Sequence, residues 1–357
     1  MPSLTRLTPA RWASRVTVRL MASVALCSPL CSPLQASAQT GLAQLRAGNL
    51  PITVAYPTAA PNRPVAMGPF TLNVAMEAAP QRGNGRLIVL SHGTRGSALT
   101  EHDLARTLAQ AGFVVAQPEH EGDNWRDPSQ AGPESWKRRP LEASRAIDAV
   151  MQDPRFAPLL DTRRVGVHGM SAGGVTALSL AGAEWSVANL VQHCKAHMQQ
   201  DADFCFNGLR SPAERAQRAA SYEQAPLDRV DATPWGGAKV HDPRIAAVAL
   251  SVPVAAPFSD ASLAALRMPV AVIQAPRDTV LAPAWHSGRV LQLCSTCQLL
   301  GTLDGGHFDV LSPWPDAMAQ QVLAAYGPQP SGFDRSRLPA QYQRLAAFFQ
   351  HHLGNAP

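Results

Sequence analysis

Residues 165–183 read Val-Gly-Val-His-Gly-Met-Ser-Ala-Gly-Gly-Val-Thr-Ala-Leu-Ser-Leu-Ala-Gly-Ala. An apolar strand, 165–167, runs into Gly169-Met-Ser171-Ala-Gly173, and an apolar helical run, 175–183, follows at once. A serine exposed at the carboxyl end of a sheet must sit on a sharp, strained turn, and the residues flanking it then have no room for side chains. Glycines at 169 and 173 meet that need, and Gly174 eases the helix against the strand. The bare pattern arises by chance in many chains. Its setting between strand and helix is what separates it from an ordinary glycine-rich turn.

Working outward, the chain from residue 86 alternates apolar strands with helices. The strands are Leu87-Ile-Val-Leu90, Phe113-Val-Val-Ala116, 165–167, Ile245-Ala-Ala-Val-Ala-Leu250, Val270-Ala-Val-Ile273 and 299–303. Helical spacing marks 100–111, a segment opened by Pro140 with Leu141, Ile147, Val150 and Met151 on one face, and 341–352. Strands that are apolar throughout call for a mainly parallel sheet covered on both faces, so the predicted class is α/β. Ile52-Thr-Val-Ala55 and Phe70-Thr-Leu-Asn-Val74 have no helix between them and predict antiparallel strands at the start of the sheet. Residues 184–242 are too long for a structureless loop and are expected to form a helical cap over the site.

A serine hydroxyl becomes a useful nucleophile only when a base takes its proton, and the base needs an orienting carboxylate. Asp278 follows the strand 270–273, and His307 follows the strand ending at Leu303, so Ser171, Asp278 and His307 all fall just past strand ends on one rim. Asp304 is the competing acid, but its place in Asp304-Gly-Gly-His307 suits a turn better than an orienter. His120, His168, His241 and His286 lack the position after the last strand; His120 comes nearest, because Glu119-His-Glu-Gly-Asp-Asn124 ends a strand at the same rim. For an oxyanion, the expected backbone N–H donors are Ala172, next to the nucleophile, and Thr94, in Ser91-His-Gly-Thr94 after the strand 87–90.

Leu90-Ser-His-Gly93, Gly169-Met-Ser-Ala-Gly-Gly174, Arg277-Asp-Thr279 and Gly305-Gly-His-Phe308 together resemble the α/β-hydrolase superfamily. Within it they are similar to the dienelactone-hydrolase-like branch related to platelet-activating-factor acetylhydrolases. The likeness runs from about residue 50 to about residue 312 and takes in Pro118-Glu-His-Glu-Gly-Asp-Asn124 and Gly132-Pro-Glu-Ser135. It implies an α/β-hydrolase fold and a secreted serine esterase acting on a small-molecule or lipid ester. Two positions depart from the pattern: Ser171 stands where dienelactone hydrolase proper has cysteine, and Met170 where relatives usually carry histidine.

Composition narrows the remaining classes. Of 357 residues 46% are hydrophobic, an ordinary share for a folded chain, while 16% are charged, well below the usual share of about a quarter, so burial dominates; the 31 prolines and 25 glycines show no period. The formal charge of +5 arises largely from Arg6, Arg11, Arg15 and Arg19, and the rest carries 27 bases against 26 acids, with no basic cluster to grip nucleic acid. Behind those arginines come the short apolar run 20–30 and Ala36-Ser-Ala38, which read as a secretory signal over 1–38. The run is too short for a membrane span. Residues 39–357 are then one exported domain, periplasmic or extracellular. Cys194, Cys205, Cys294 and Cys297 allow three pairings, and the local one, 194 with 205 and 294 with 297, closes the shortest loops. Zinc held by His193, Cys194, His197 and Cys205 is the competing use. Nothing else calls for a metal or cofactor, and no oligomeric state follows from the sequence.

The leading expectation is a carboxylic-ester hydrolase for short acyl chains, limited by the cap. A peptidase or acyltransferase would use the same triad, and a lactone hydrolase or a binding protein that has lost its chemistry are the other readings.

Overall fold

The computed structural model describes residues 39–161 and 163–354; the signal assigned to 1–38 lies outside them. The strands are β1 (Gln39–Ala47), β2 (Leu50–Thr58), β3 (Arg63–Met67), β4 (Phe70–Met76), β5 (Leu87–Ser91), β6 (Val114–Pro118), β7 (Val165–Met170), β8 (Glu184–Trp185), β9 (Trp235–Gly236), β10 (Ile245–Ser251), β11 (Val270–Gln274) and β12 (Cys297–Thr302). The helices are α1 (His102–Gln110), α2 (Pro133–Gln152), α3 (Ala172–Leu180), α4 (Val187–His197), α5 (Ala202–Phe206), α6 (Pro212–Gln224), α7 (Asp260–Ala264), α8 (Ser287–Leu293), α9 (Asp316–Tyr326) and α10 (Leu338–Leu353).

Among the described residues ten strands form one sheet, in the order β12-β11-β10-β7-β5-β6-β2-β1-β4-β3. From β12 to β6 every pairing is parallel, and β2 joins β6 antiparallel. Every residue of β5, β6 and β7 is buried, because helices cover both faces and each strand is apolar through its length. On one face α2 and α3 pack through Trp136, Ile147, Val150, Val175 and Leu178; on the other, α1 and α10 pack through Leu104, Leu108, Leu345 and Phe349.

Two expectations need correction. The helix expected to open at Pro140 begins at Pro133, which takes the first helical position after Gly132, and Pro140 lies buried inside it. Ser135, Trp136 and Arg139 already belong to the buried face, so tertiary packing carries the helix through the proline despite its missing N–H. The start of the sheet also holds more strand than expected: β1 and β3 pair with β2 and β4, and β1 runs parallel to β4.

Residues 184–242 form α4, α5 and α6, closed at their base by the antiparallel pair β8 and β9. Ser186 and Ser211 cap α4 and α6 by accepting the Asn189 and Glu214 N–H groups. The pairings Cys194–Cys205 and Cys294–Cys297 are both formed. The zinc set is therefore overturned, since two of its four ligands are tied in a disulfide. Among the described residues no helix is long and apolar enough to cross a membrane.

Candidate active site

Ser171 stands between β7 and α3 with φ 55° and ψ −119°, a left-handed conformation that a side-chain-bearing residue adopts only when its surroundings compel it. The compulsion is visible in the hydrogen bonds. Ser171 N donates to Ser251 O at 3.1 Å, and Ser171 O accepts from Gly174 N at 2.8 Å and Val254 N at 2.9 Å. A Cβ on Gly169 would run into the Gly173 carbonyl, and one on Gly173 into the Ser91 carbonyl. Gly174 packs against Pro253 in the loop after β10.

His307 follows β12 in a short helical turn. Its Nε2 lies 2.9 Å from Ser171 Oγ and its Nδ1 2.7 Å from Asp278 Oδ2. Asp278 is held in turn: its Oδ1 accepts the Val280 and Leu281 N–H groups, each at 2.8 Å. All three side chains are nearly buried, with Ser171 8% exposed. Asp304 takes no part. It is exposed and pairs with Arg277 at 3.0 Å.

Thr94 and Gly93 line the cavity beside Ser171, and Ala172 is the first residue of α3, where an N–H has no partner within the helix. Among the described residues neither the Thr94 nor the Ala172 N–H donates to a backbone carbonyl.

The other histidines are engaged elsewhere. His120 bridges Glu142 at 2.6 Å and Ser91 Oγ at 2.8 Å. This copies the chemical order Ser-His-acid, but Ser91, His120 and Glu142 are fully enclosed and no ester can reach them. Burial drives the His120 and His92 imidazoles well below their ordinary pKa, so both are neutral. His168, in β7 ahead of Ser171, is bonded to Ser251 Oγ at 2.9 Å.

His193, Asp201 and His286 form the one group among the described residues that is spaced to hold a metal. His286 Nδ1 accepts the Ala255 N–H at 3.0 Å, so the neutral ring carries its proton on Nε2, which donates to Asp201 Oδ2 at 2.8 Å. With that nitrogen protonated, the group is a hydrogen-bonded trio and not a ligand set. Burial would push the Asp201 carboxyl up, yet His286, His193 and the Ala282 N–H hold it well below the usual carboxylate range. The trio has a mechanical consequence. Asp201 belongs to the cap, while His286 and Ala282 follow Asp278, so the cap is pinned to the loop that carries the carboxylate.

A cavity of about 340 Å³ opens over Ser171 and His307. Leu190, Phe204 and Tyr222 of the cap line it, with Trp125, Trp136, Phe308, Trp314 and Tyr326. Trp125, Trp136 and Trp314 thus reach the cavity. Trp235 does not; Lys137 and Lys239 cover its ring. A wider groove, of about 1120 Å³, adjoins the cavity and shares Arg95, Asn124, Trp125, Met318 and Gln321 with it. Sequence reasoning missed α9, whose Met318 and Tyr326 form part of the wall, and the buried pair Arg139–Asp123 behind the 92–95 loop, 2.8 Å apart. In sequence Arg139 ends a Lys-Arg-Arg run that looks like a solvated face.

No protein-family model matches the chain, and no curated protein matches it. Among solved structures it is similar to a ferulic acid esterase from Streptomyces cinnamoneus, at 17% identity and a TM-score of 0.56, over 92% of this chain and 96% of that one. The mainly parallel sheet, the serine turn between β7 and α3 and this likeness together show that the chain has the α/β-hydrolase fold.

Proposed function

We propose that the protein is an exported serine carboxylic-ester hydrolase, related to the dienelactone-hydrolase and platelet-activating-factor-acetylhydrolase branch of its fold. The observation that carries the reading is the continuous relay Asp278–His307–Ser171, at 2.7 and 2.9 Å, opening on a cavity. In this reading Ser171 Oγ attacks the ester carbonyl as His307 Nε2 takes its proton, and Asp278 holds the imidazole in the tautomer that can accept it. The Thr94 and Ala172 N–H groups receive the oxyanion. Collapse expels the alcohol, protonated by His307, and leaves an acyl-enzyme that a water molecule hydrolyses by the same steps. The disulfides support an oxidising compartment.

For the acyl group, we favour short chains, because cap residues Leu190, Phe204 and Tyr222 wall the cavity. Its volume falls in the lower range of small-molecule sites, roughly 300–1,000 Å³. The ring-rich wall and the likeness to a ferulic acid esterase favour a second reading, a compact aromatic acyl group.

Replacing Ser171 with alanine tests the chemistry, since the hydroxyl is lost with little change of volume. The variant is expected to fold, to lose hydrolysis of 4-nitrophenyl acetate and to lose labelling by a fluorophosphonate. Retained turnover would remove Ser171 from the mechanism, and an inert native protein would favour the binding-protein reading.

A further inference from the structure

We propose that Arg139 is a positioning residue for this reaction: through the Gly93 carbonyl it fixes the 93–94 peptide so that the Thr94 N–H faces Ser171. Resting on the serine-esterase reading, this assigns a role to a buried ion pair that the triad leaves unexplained.

Arg139 projects from α2 into the floor beneath the 92–95 loop and is completely buried. Its Nη1 donates to His92 O at 2.6 Å, and its Nη2 to Gly93 O at 3.3 Å, Asp123 O at 3.2 Å and Asp123 Oδ2 at 2.8 Å. One guanidinium thus holds two consecutive carbonyls of the loop. Asp123 completes the clamp by accepting the Arg95 N–H at 2.9 Å and the Ser135 hydroxyl at 2.7 Å.

Gly93 O has two further donors. His92 Nε2 accepts the His120 N–H at 3.2 Å, so the neutral ring carries its proton on Nδ1 and donates it to Gly93 O at 2.7 Å. Gly96 N donates to the same oxygen at 3.1 Å. In a trans peptide the C=O and N–H point in opposite directions. A carbonyl held by three donors on the scaffold side therefore turns the Thr94 N–H away from the scaffold. That other side is the site: a Cβ on Gly93 would lie 3.0 Å from Met170 Sδ and 3.2 Å from Ser171 Cβ, and Thr94 lines the cavity.

Stability alone is a weak reason to bury this pair, because desolvating both charges offsets most of their attraction and an apolar pair of similar volume commonly serves as well. An oxyanion donor has a different requirement. It must already point at the developing charge, so that nothing reorganises during reaction. A planar fork on consecutive carbonyls supplies that fixity, and an ammonium does not.

The test is Arg139→Lys, which keeps a charge opposite Asp123 but cannot reach both carbonyls and the carboxylate together. Steady-state kinetics with 4-nitrophenyl butyrate and inhibition by phenylboronic acid, whose tetrahedral serine adduct places an oxygen in the oxyanion site, are measured on the folded variant. Losing one oxyanion donor outright costs about 10²–10³ in kcat, so a misdirected one should lower kcat by about 10–100-fold. KM should stay within about threefold, and boronate affinity should fall in step with kcat. A folded variant with unchanged kcat, or with reduced kcat but full boronate affinity, overturns the proposal. Should Arg139→Lys not fold, His92→Gln removes only the Nδ1 donor to Gly93 O and is judged by the same pair of readouts. Wild-type turnover that survives Ser171→Ala removes the esterase reading and this proposal with it, whereas turnover lost in Ser171→Ala and intact in Arg139→Lys overturns the role of Arg139 alone.

Discussion

Ser171 holds a positive φ because its neighbours leave it no alternative, and the glycines beside it are steric necessities. Gly173 is the sharper case, since any Cβ there meets the Ser91 carbonyl, which is backbone and cannot swing aside. Gly173→Ala is expected to destabilise the fold by about 1–3 kcal/mol or more, the range for overpacking a dense core. Urea unfolding measures it, and a midpoint equal to that of the native protein would contradict the geometry. The two acids near His307 allow a matched comparison. Asp278→Asn should reduce kcat by about 10⁴ by favouring the wrong imidazole tautomer. Asp304→Asn should leave kcat within a few-fold, because Asp304 is 74% exposed and engages Arg277 instead. The opposite ranking in ester hydrolysis would transfer the orienting role.

At the scale of elements, α1 is preceded by a carboxyl buried under the sheet. Burial pushes Glu101 up to about 8 from an unfolded value near 4.5, and lowers His168, 3.3 Å away, to about 3. The signs differ. Between about 4.5 and 8 the folded state binds the Glu101 proton that the unfolded chain releases, so this group makes stability fall as pH rises through that window. His168 acts on the acid side: the unfolded imidazole takes a proton below about 6.5 that the folded one refuses until about 3, and stability falls as pH drops. Glu101→Gln should therefore flatten the decline of Tm between pH 6 and pH 8, as read by calorimetry. A variant whose Tm declines as steeply as that of the native protein would show that other groups govern it. The same scale explains α2, where a buried stripe through Trp136, Arg139 and Ala143 outweighs the interior Pro140.

For the whole molecule, the cap and the rim that carries Ser171, Asp278 and His307 are mechanically one. The disulfide Cys194–Cys205 joins α4 to α5, and Asp201 ties that corner to His286 and Ala282 beyond Asp278. Phe204 and Tyr222 on this braced corner line the cavity. If the cap limits the acyl group, acetyl to butyryl esters should exceed palmitoyl esters in kcat/KM by several orders of magnitude, at about 1 kcal/mol for each methylene that no longer fits. Cys194→Ser with Cys205→Ser should narrow that ratio more than it lowers acetate turnover. A panel in which palmitoyl esters are best for the intact protein would make the cap an opening lid.

Much of this was legible locally. Strands buried on both faces betray themselves by unbroken apolar runs, and a serine on a cramped turn by flanking glycines, so β5, β6, β7, β10 and β11 and the position of Ser171 follow from neighbours in the chain. The places of Asp278 and His307 follow as well, because residues just past parallel strands gather on one rim. What only the tertiary structure decided depends on partners distant in sequence. β1 and β3 become strands by pairing, α9 becomes a cavity wall by docking against Phe308, and Pro140 is tolerated because α2 is packed on both sides of it. The clearest case is Arg139, which lies 46 residues from the Gly93 carbonyl it holds and leaves no periodicity or spacing to announce the contact. Its burial opposite Asp123 exists only once α2 and the loop after β5 have met, since a charge leaves water only where a folded partner is already in place.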